Sequence, residues 1–146
     1  MRIEPLTADA LDMVTAIEEK DGDVHWSRVQ FEQELSGEFM RFFVVVEEDA
    51  PDVLAYGGYR KAGPEAQITN LVVRPESRCR GIGKRLLEFI LDCARGEMCT
   101  ACTLEVRASN QHAQSLYKAL GFDVQGKRAK IYENPMEDAV LMGKNL

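Results

Sequence analysis

The sequence predicts an α/β fold: a mixed, mostly antiparallel central sheet with helices on both faces. Three stretches predict it. Gln67–Phe89 reads as a buried strand (Ile68–Val73), a tight loop and a helix with apolar residues at helical spacing. Met40–Glu48 and Val53–Lys61 read as adjacent strands joined by Asp49-Ala50-Pro51-Asp52, a turn of hairpin length. Thr100–Arg107 reads as a further strand, followed at once by a short amphipathic helix.

The elements follow in order. Arg2–Pro5 is a short first strand. Thr7 then reads as an N-cap, with Leu6 and Leu11 as a hydrophobic staple, and the helix turns Leu11, Val14 and Ile17 inward until Asp21-Gly22. A second helix start is better marked: Ser27 with Gln30 forms a capping box, and Trp26 with Phe31 its staple. After the hairpin, Ala62-Gly63-Pro64-Glu65 turns the chain into the central strand. The following helix packs Ile82, Leu86, Phe89, Ile90 and Cys93 onto the sheet and ends at Gly96. Beyond Thr100–Arg107, Ser109 or Asn110 caps a helix whose inward face is Ala113, Leu116, Tyr117 and Leu120, closed by Gly121. Phe122–Val124, a segment around Lys130–Tyr132, and Ala139–Gly143 supply the last strands.

No linker or repeat divides the 146 residues, so a single domain, 1–146, is expected. The longest apolar run, Phe42–Val46, is far too short to span a membrane. Met1-Arg2-Ile3-Glu4 opens directly into structured sequence, and the four cysteines suit a reducing cytoplasm. Cys99 and Cys102 have C-x-x-C spacing, but in an extended segment they point to opposite sheet faces; with no second pair and distant histidines, they read as packing residues, with a metal or redox role as the alternative.

Charge is unevenly placed. Five basic residues and one acidic lie between Arg74 and Arg85, a net +4 in a chain of net −6, so the remainder carries −10. A local positive pocket in an acidic protein suits a phosphorylated small ligand; a nucleic acid would need basic residues spread along a face. Gly81 and Gly83 stand at the mouth of the helix, where bare backbone lets an anion reach the unpaired first-turn N–H groups. The spacing fits neither a nucleotide-triphosphate loop nor a dinucleotide fingerprint, whose third glycine is replaced by Leu86.

What matches is R-x-x-G-x-G, Arg78 to Gly83, and in this the sequence resembles the GNAT superfamily of acetyl-CoA-dependent N-acetyltransferases. The resemblance implies a GNAT fold with a splayed strand pair in its sheet. It also implies that the backbone of Leu71, Val72 and Val73 pairs with the cofactor's pantetheine arm. The amides of Cys79, Arg80, Gly81, Ile82, Gly83 and Lys84, after Arg78, would then hold its pyrophosphate.

A second constellation follows. Along Thr103–Arg107, Leu104 and Val106 face one way and Thr103, Glu105 and Arg107 the other. A carboxylate midway along an interior strand demands a partner or a function, because burying one unpaired is costly. Tyr117 reads either as a core aromatic whose hydroxyl reaches water or as a site residue. Glu105-Val-Arg107, Ser109-Asn110, Ala113, Leu116-Tyr117 and Gly121-Phe122 together resemble the ribosomal-protein alanine N-acetyltransferase branch of the superfamily, as do the Trp26-Ser27 entry to the second helix and Tyr132 with Glu137-Asp138-Ala139. That resemblance implies Glu105 as general base, Tyr117 as general acid, Asn110 as a cofactor contact, and Trp26 and Tyr132 as acceptor contacts. The implied partner is a protein N-terminus, in particular that of a basic ribosomal protein. The chain departs from the branch in lacking a proline before Trp26 and in carrying Ile131 where a tyrosine often stands beside Tyr132.

The chemistry is consistent with this. An α-amine titrates at about 7.7–8.0 and a lysine at about 10.4, so a glutamate base reaches a chain terminus more easily than a lysine. A partly buried glutamate with its pKa raised by desolvation would suit as the base. A tyrosine near pKa 10 stays protonated at neutral pH and can return a proton to the departing sulfur. No metal is required. Acetylation of a small amine or a lysine side chain, and a non-catalytic acyl-CoA-binding module, stand as the alternatives.

Overall fold

A computed structural model describes residues 1–146. Seven strands form one sheet in the order β1-β2-β3-β4-β5-β7-β6. β1 (Arg2–Pro5), β2 (Met40–Val46), β3 (Val53–Ala62) and β4 (Glu65–Val73) make an antiparallel meander. β5 (Ala101–Arg107) joins β4 in the one parallel pairing, and β7 (Glu137–Asn145) lies between β5 and β6 (Asp123–Tyr132), antiparallel to both. The mixed, mostly antiparallel sheet expected from sequence is therefore present.

The central seam is short. β4 and β5 are in register only at Glu65–Gln67 against Ala101–Thr103. Beyond Gln67, β4 acquires an extra residue: Tyr59 pairs with Ile68 and Gly58 with Asn70, leaving Thr69 as the bulge. A bulge bends its strand and increases the local twist. β4 keeps its pairing to β3 as far as Val73 but leaves β5, which opens the expected splay between the two strands.

Each face of the sheet carries its own core. Val44, Val46, Val53, Tyr56 and Phe42 pack under α1 (Leu11–Asp21) and α2 (Arg28–Leu35), meeting Leu11, Val14 and Phe31. Val45, Leu54, Tyr59, Leu104 and Val106 pack against α3 (Ile82–Gly96) and, through Tyr117, α4 (Gln111–Ala119). Along β2, Phe42, Val44 and Val46 enter the first core and Val45 the second, the two-residue period of a pleated sheet; in β3 the register shift at Leu54 breaks that alternation, and Leu54 and Ala55 both enter the second core.

Several local expectations hold and others shift. The Ser27–Gln30 capping box is complete: Gln30 N–H donates to Ser27 Oγ at 3.3 Å and Ser27 N–H to Gln30 Oε1 at 2.8 Å. Trp26 and Phe31 rings meet edge to face at 5.3 Å. Thr7, by contrast, makes no side-chain cap; the chain enters α1 through a 3₁₀ turn at Ala8–Ala10. The buried face of α3 is Ile82, Leu86, Leu87, Ile90, Leu91 and Ala94, centred further round than expected. Phe89 and Cys93 lie on its flank, where Phe89 meets Phe43 edge to face at 5.0 Å. Cys99 and Cys102 enter the same core instead of opposite faces, because Cys99 precedes β5 and is not extended with it. The two short strands expected around Phe122–Val124 and Lys130–Tyr132 are one edge strand, β6, whose exposed polar residues and two register shifts hide its period.

Candidate active site

The mouth of α3 has the expected open backbone. Gly81 is its N-cap in the left-handed region (φ 75°), with no side chain capping the helix. The first bond into the helix is Arg85 N–H to Gly81 O at 3.1 Å, which leaves the amides of Ile82, Gly83 and Lys84 without helical partners. Cys79 is also left-handed (φ 65°) and exposed. Arg78 Nε donates to Val73 O at 3.2 Å, tying the loop to the end of β4, and Arg80 reaches Glu47 at 3.4 Å. These features leave an open helix mouth, of the kind that suits an anion, beside the unpaired edge of β4.

A cleft occupies the splay. Its walls are Ile68–Val72 of β4, Leu104–Val106 of β5, Asn110, Ala113 and Tyr117 around α4, Tyr132 of β6, and Glu18, Asp23 and Val24 from α1 and the loop after it. Glu105, Tyr117, Asn110, Leu71, Val72 and Tyr132, all singled out in the sequence, thus share one cavity. Val73 and the Arg78–Lys84 loop lie outside its walls. Trp26 does not line it either; its ring is held between Phe31 and Phe42, at 5.3 and 5.6 Å, so staple packing accounts for this residue.

Glu105 leaves β5 on the face opposite Leu104 and Val106, and its carboxylate is paired with Arg128 of β6. It sits in an ion pair at the cleft wall, not in the apolar pocket that a desolvated base would occupy. Arg107 is not its partner, because four of that guanidinium's five donors are taken elsewhere. Arg107 Nε donates to Asp23 Oδ1 at 2.7 Å, Nη1 to Glu137 Oε2 at 3.1 Å and Pro135 O at 2.8 Å, and Nη2 to Glu133 O at 2.8 Å. The same guanidinium lies 4.7 Å over the Tyr132 ring. Arg107 therefore ties the loop after α1 to the β6–β7 turn. Glu137 also accepts Ser109 N–H at 2.9 Å; that bond and Arg107 hold its carboxyl below the usual range.

Tyr117 is brought to the cleft by the cap of α4, where Asn110 Oδ1 accepts Ala113 N–H at 3.0 Å. Gln114, buried three residues before Tyr117, ties the helix to the end of β5 by donating to the carbonyls of Arg107 and Ala108. Only 6% of Tyr117 is exposed, and its ring packs on Phe122. Burial, then the charges of Tyr132 and Asp23, push its phenol pKa up, so it holds its proton across the neutral range. Burial and Asp23 likewise push Tyr132 up to about 12.

The residue that sequence reading missed is Glu18. It lies on the buried side of α1, fully enclosed, where the helical stripe of Leu11 and Val14 continues. Its carboxylate accepts from the Tyr56 hydroxyl, from Asn70 Nδ2 at 2.9 Å and from His25 N–H at 3.1 Å. Gly22 is required beside it: a Cβ there would stand 1.5 Å from Glu18 Oε2. The one signal available in sequence was that position 18 continues the apolar spacing of α1. No group of three or more His, Cys, Asp or Glu side chains is placed to hold a metal.

A protonated phenol, a carboxylate, an unpaired strand edge and an open helix mouth suit acyl transfer from a phosphate-bearing thioester. Comparison with known proteins agrees. The profile of the Acetyltransferase (GNAT) family matches residues 9–122. A Bacillus subtilis protein, provisionally named a ribosomal protein bS18-alanine N-acetyltransferase, is 30% identical over 96% of this chain and 92% of its own. The Mycobacterium tuberculosis N-alpha-acetyltransferase RimI is 32% identical over 85% of this chain and 78% of its own. Among solved structures, the ribosomal-protein-S18-alanine N-acetyltransferase of Escherichia coli superposes with a TM-score of 0.88 at 29% identity, over 99% of this chain and 92% of that one. An Arabidopsis thaliana NAA60 crystallised with acetyl-CoA shares the fold, with a TM-score of 0.89 at 17% identity over 99% of this chain and 98% of its own. With fold, site and family profile in agreement over most of its length, the chain belongs to the GNAT family of acetyltransferases.

Proposed function

We propose that the protein transfers acetyl from acetyl-CoA to the N-terminal α-amine of a protein, with the alanine start of a basic ribosomal protein as the acceptor class. The observation that carries this reading is the convergence of Glu105 and Tyr117 in one cleft bounded by the unpaired edge of β4. The cofactor's pyrophosphate would sit on the loop from Arg78 to Lys84, and its pantetheine arm would run along Leu71–Val73. The amine nitrogen attacks the thioester carbon, Glu105 takes the amine proton directly or through water, the carbon–sulfur bond breaks, and Tyr117 returns a proton to sulfur. Asn110 would steady the cofactor side and Tyr132 the acceptor side. Relatives of similar length are named for ribosomal protein bS18 or α-amine acetylation, which supports the acceptor class. So does the acidic balance of the chain, net −6, which favours a basic segment. One domain acting in the cytoplasm is part of the same reading; no helix is long and apolar enough to cross a membrane.

The test is thiol release from acetyl-CoA with a hexapeptide beginning Ala-Arg, run beside an N-terminally blocked twin carrying an internal lysine. Release with the free terminus alone is expected. Release with the blocked twin would move the assignment to lysine, and silence on both would refute α-amine transfer.

A further inference from the structure

Glu18 is a fully buried carboxylate at the cleft with no cation within ion-pair distance. The neighbouring guanidiniums are committed elsewhere, Arg107 to Asp23 and Glu137, Arg128 to Glu105. A buried anion without a counter-charge is costly, and three neutral donors offset that only in part. A carboxylate offers about four acceptor positions, and three are taken here.

Asn70 repeats the pattern. It is 4% exposed, it lines the same cleft, and its Oδ1 is buried with no donor. The amide cannot be turned to cure this, because Nδ2 is held by Glu18 and the reverse orientation would set Oδ1 against a carboxylate. An orphaned buried acceptor in a folded protein calls for an explanation. The unmet capacity at this end of the cleft is thus one negative charge and two acceptor positions, and the complement of that set is a cationic N–H donor.

We propose that Glu18 and Asn70 form the subsite that receives the acceptor's α-ammonium, which releases one proton to solvent before attack and its second to Glu105 as the amide forms. Glu18 supplies the charge that draws the ammonium in, and Asn70 Oδ1 takes one of its N–H groups. Both are positioning residues. The proposal rests on the α-amine reading above and deepens it: the acceptor is selected as a cation at its terminus, whatever side chain follows.

The test uses enzyme loaded with CoA, so that no turnover occurs, and two peptides titrated calorimetrically. One begins with alanine; the other carries a propionyl group in its place, the same shape without the amine. Wild type is expected to bind the amine peptide roughly thirtyfold more tightly, the scale of a buried charge contact. Glu18→Gln is expected to abolish that preference while leaving CoA affinity and binding of the propionyl peptide unchanged, a split that a purely structural role would not give. Equal binding of the two peptides by wild type would overturn the proposal without any variant, as would a preference retained in Glu18→Gln. Wild type that acetylates no α-amine peptide would instead overturn the reading beneath it, and the subsite with it.

Discussion

Replacing Gly22 by alanine tests whether the Glu18 carboxylate is held as rigidly as its contacts imply. Gly22 has φ −85° and ψ 160°, backbone that alanine adopts without strain. In free space the change would stabilise the protein by about 0.4–1 kcal/mol, through the unfolded chain. Here the new Cβ would stand 1.5 Å from Glu18 Oε2 and 2.2 Å from Cδ, with Glu18 O at 2.8 Å. On the surface a glutamate would swing away; this one is enclosed and held by three donors. Moving it loses at least one hydrogen bond to a charged group, about 1.5–3 kcal/mol, in addition to overpacking of about 1–3 kcal/mol. A net loss of roughly 4 kcal/mol lowers Tm by roughly 8–16 °C in a domain of this size. Thermal melts of the single and double variants decide it: Glu18→Ala with Gly22→Ala is expected to be no less stable than Glu18→Ala alone, since the clash is gone. A Gly22→Ala protein as stable as wild type, or strictly additive losses, would refute the rigid clamp.

Three further outcomes follow from the site. Tyr117→Phe keeps the ring against Phe122 and is expected to lower kcat roughly 10²–10⁴-fold with acetyl-CoA affinity unchanged, as read by stopped-assay rates and calorimetry. Gly81→Ala meets no neighbouring atom but places a side chain at φ 75°, at about 1–2 kcal/mol; a weaker Kd for acetyl-CoA with unchanged peptide binding is expected from titration. In Glu97, burial raises the pKa, but the Tyr59 hydroxyl and Arg41 outweigh it and the net shift is downward; Glu137 is lowered too, by Ser109 and Arg107. The stability these two carboxylates add is complete above their unfolded pKa of about 4.3 and is lost as pH falls through the lower folded values. Urea midpoints are therefore expected to fall on acidification below about pH 4.5, and less steeply in Glu97→Gln.

What could be read from sequence was what short-range chemistry writes down. The Ser27–Gln30 box lies within one helical turn, Asn110 caps its own helix three residues on, and Gly81 sits at the helix start it opens. Glu105 and Tyr117 were legible because strand alternation and helical spacing fix their faces, and the family resemblance gave them roles. Glu18 was not, because what buries it comes from Tyr56 and Asn70, residues 38 and 52 positions away. Arg107 shows the same limit: its partners stand on the loop after α1, in the β6–β7 turn and at the start of β7, 84, 28 and 30 positions off, and no local pattern announces them. Phe89 and Cys93 moved to the flank of α3 because spacing gives the width of an apolar stripe better than its centre, which the sheet beneath decides.

The three-residue seam between β4 and β5 makes the sheet two leaves joined at one end. Every other neighbouring strand pair is zipped over most of the shorter strand, so bending concentrates at this joint. A pantetheine arm laid along Leu71–Val73 would act as a missing rung, bracing the leaves against each other. The family's cosubstrate would then be a strut as well as a donor: loading it stiffens the joint, lifts the melting temperature by mass action, and slows hydrogen exchange at the open end of the wedge before any acceptor arrives.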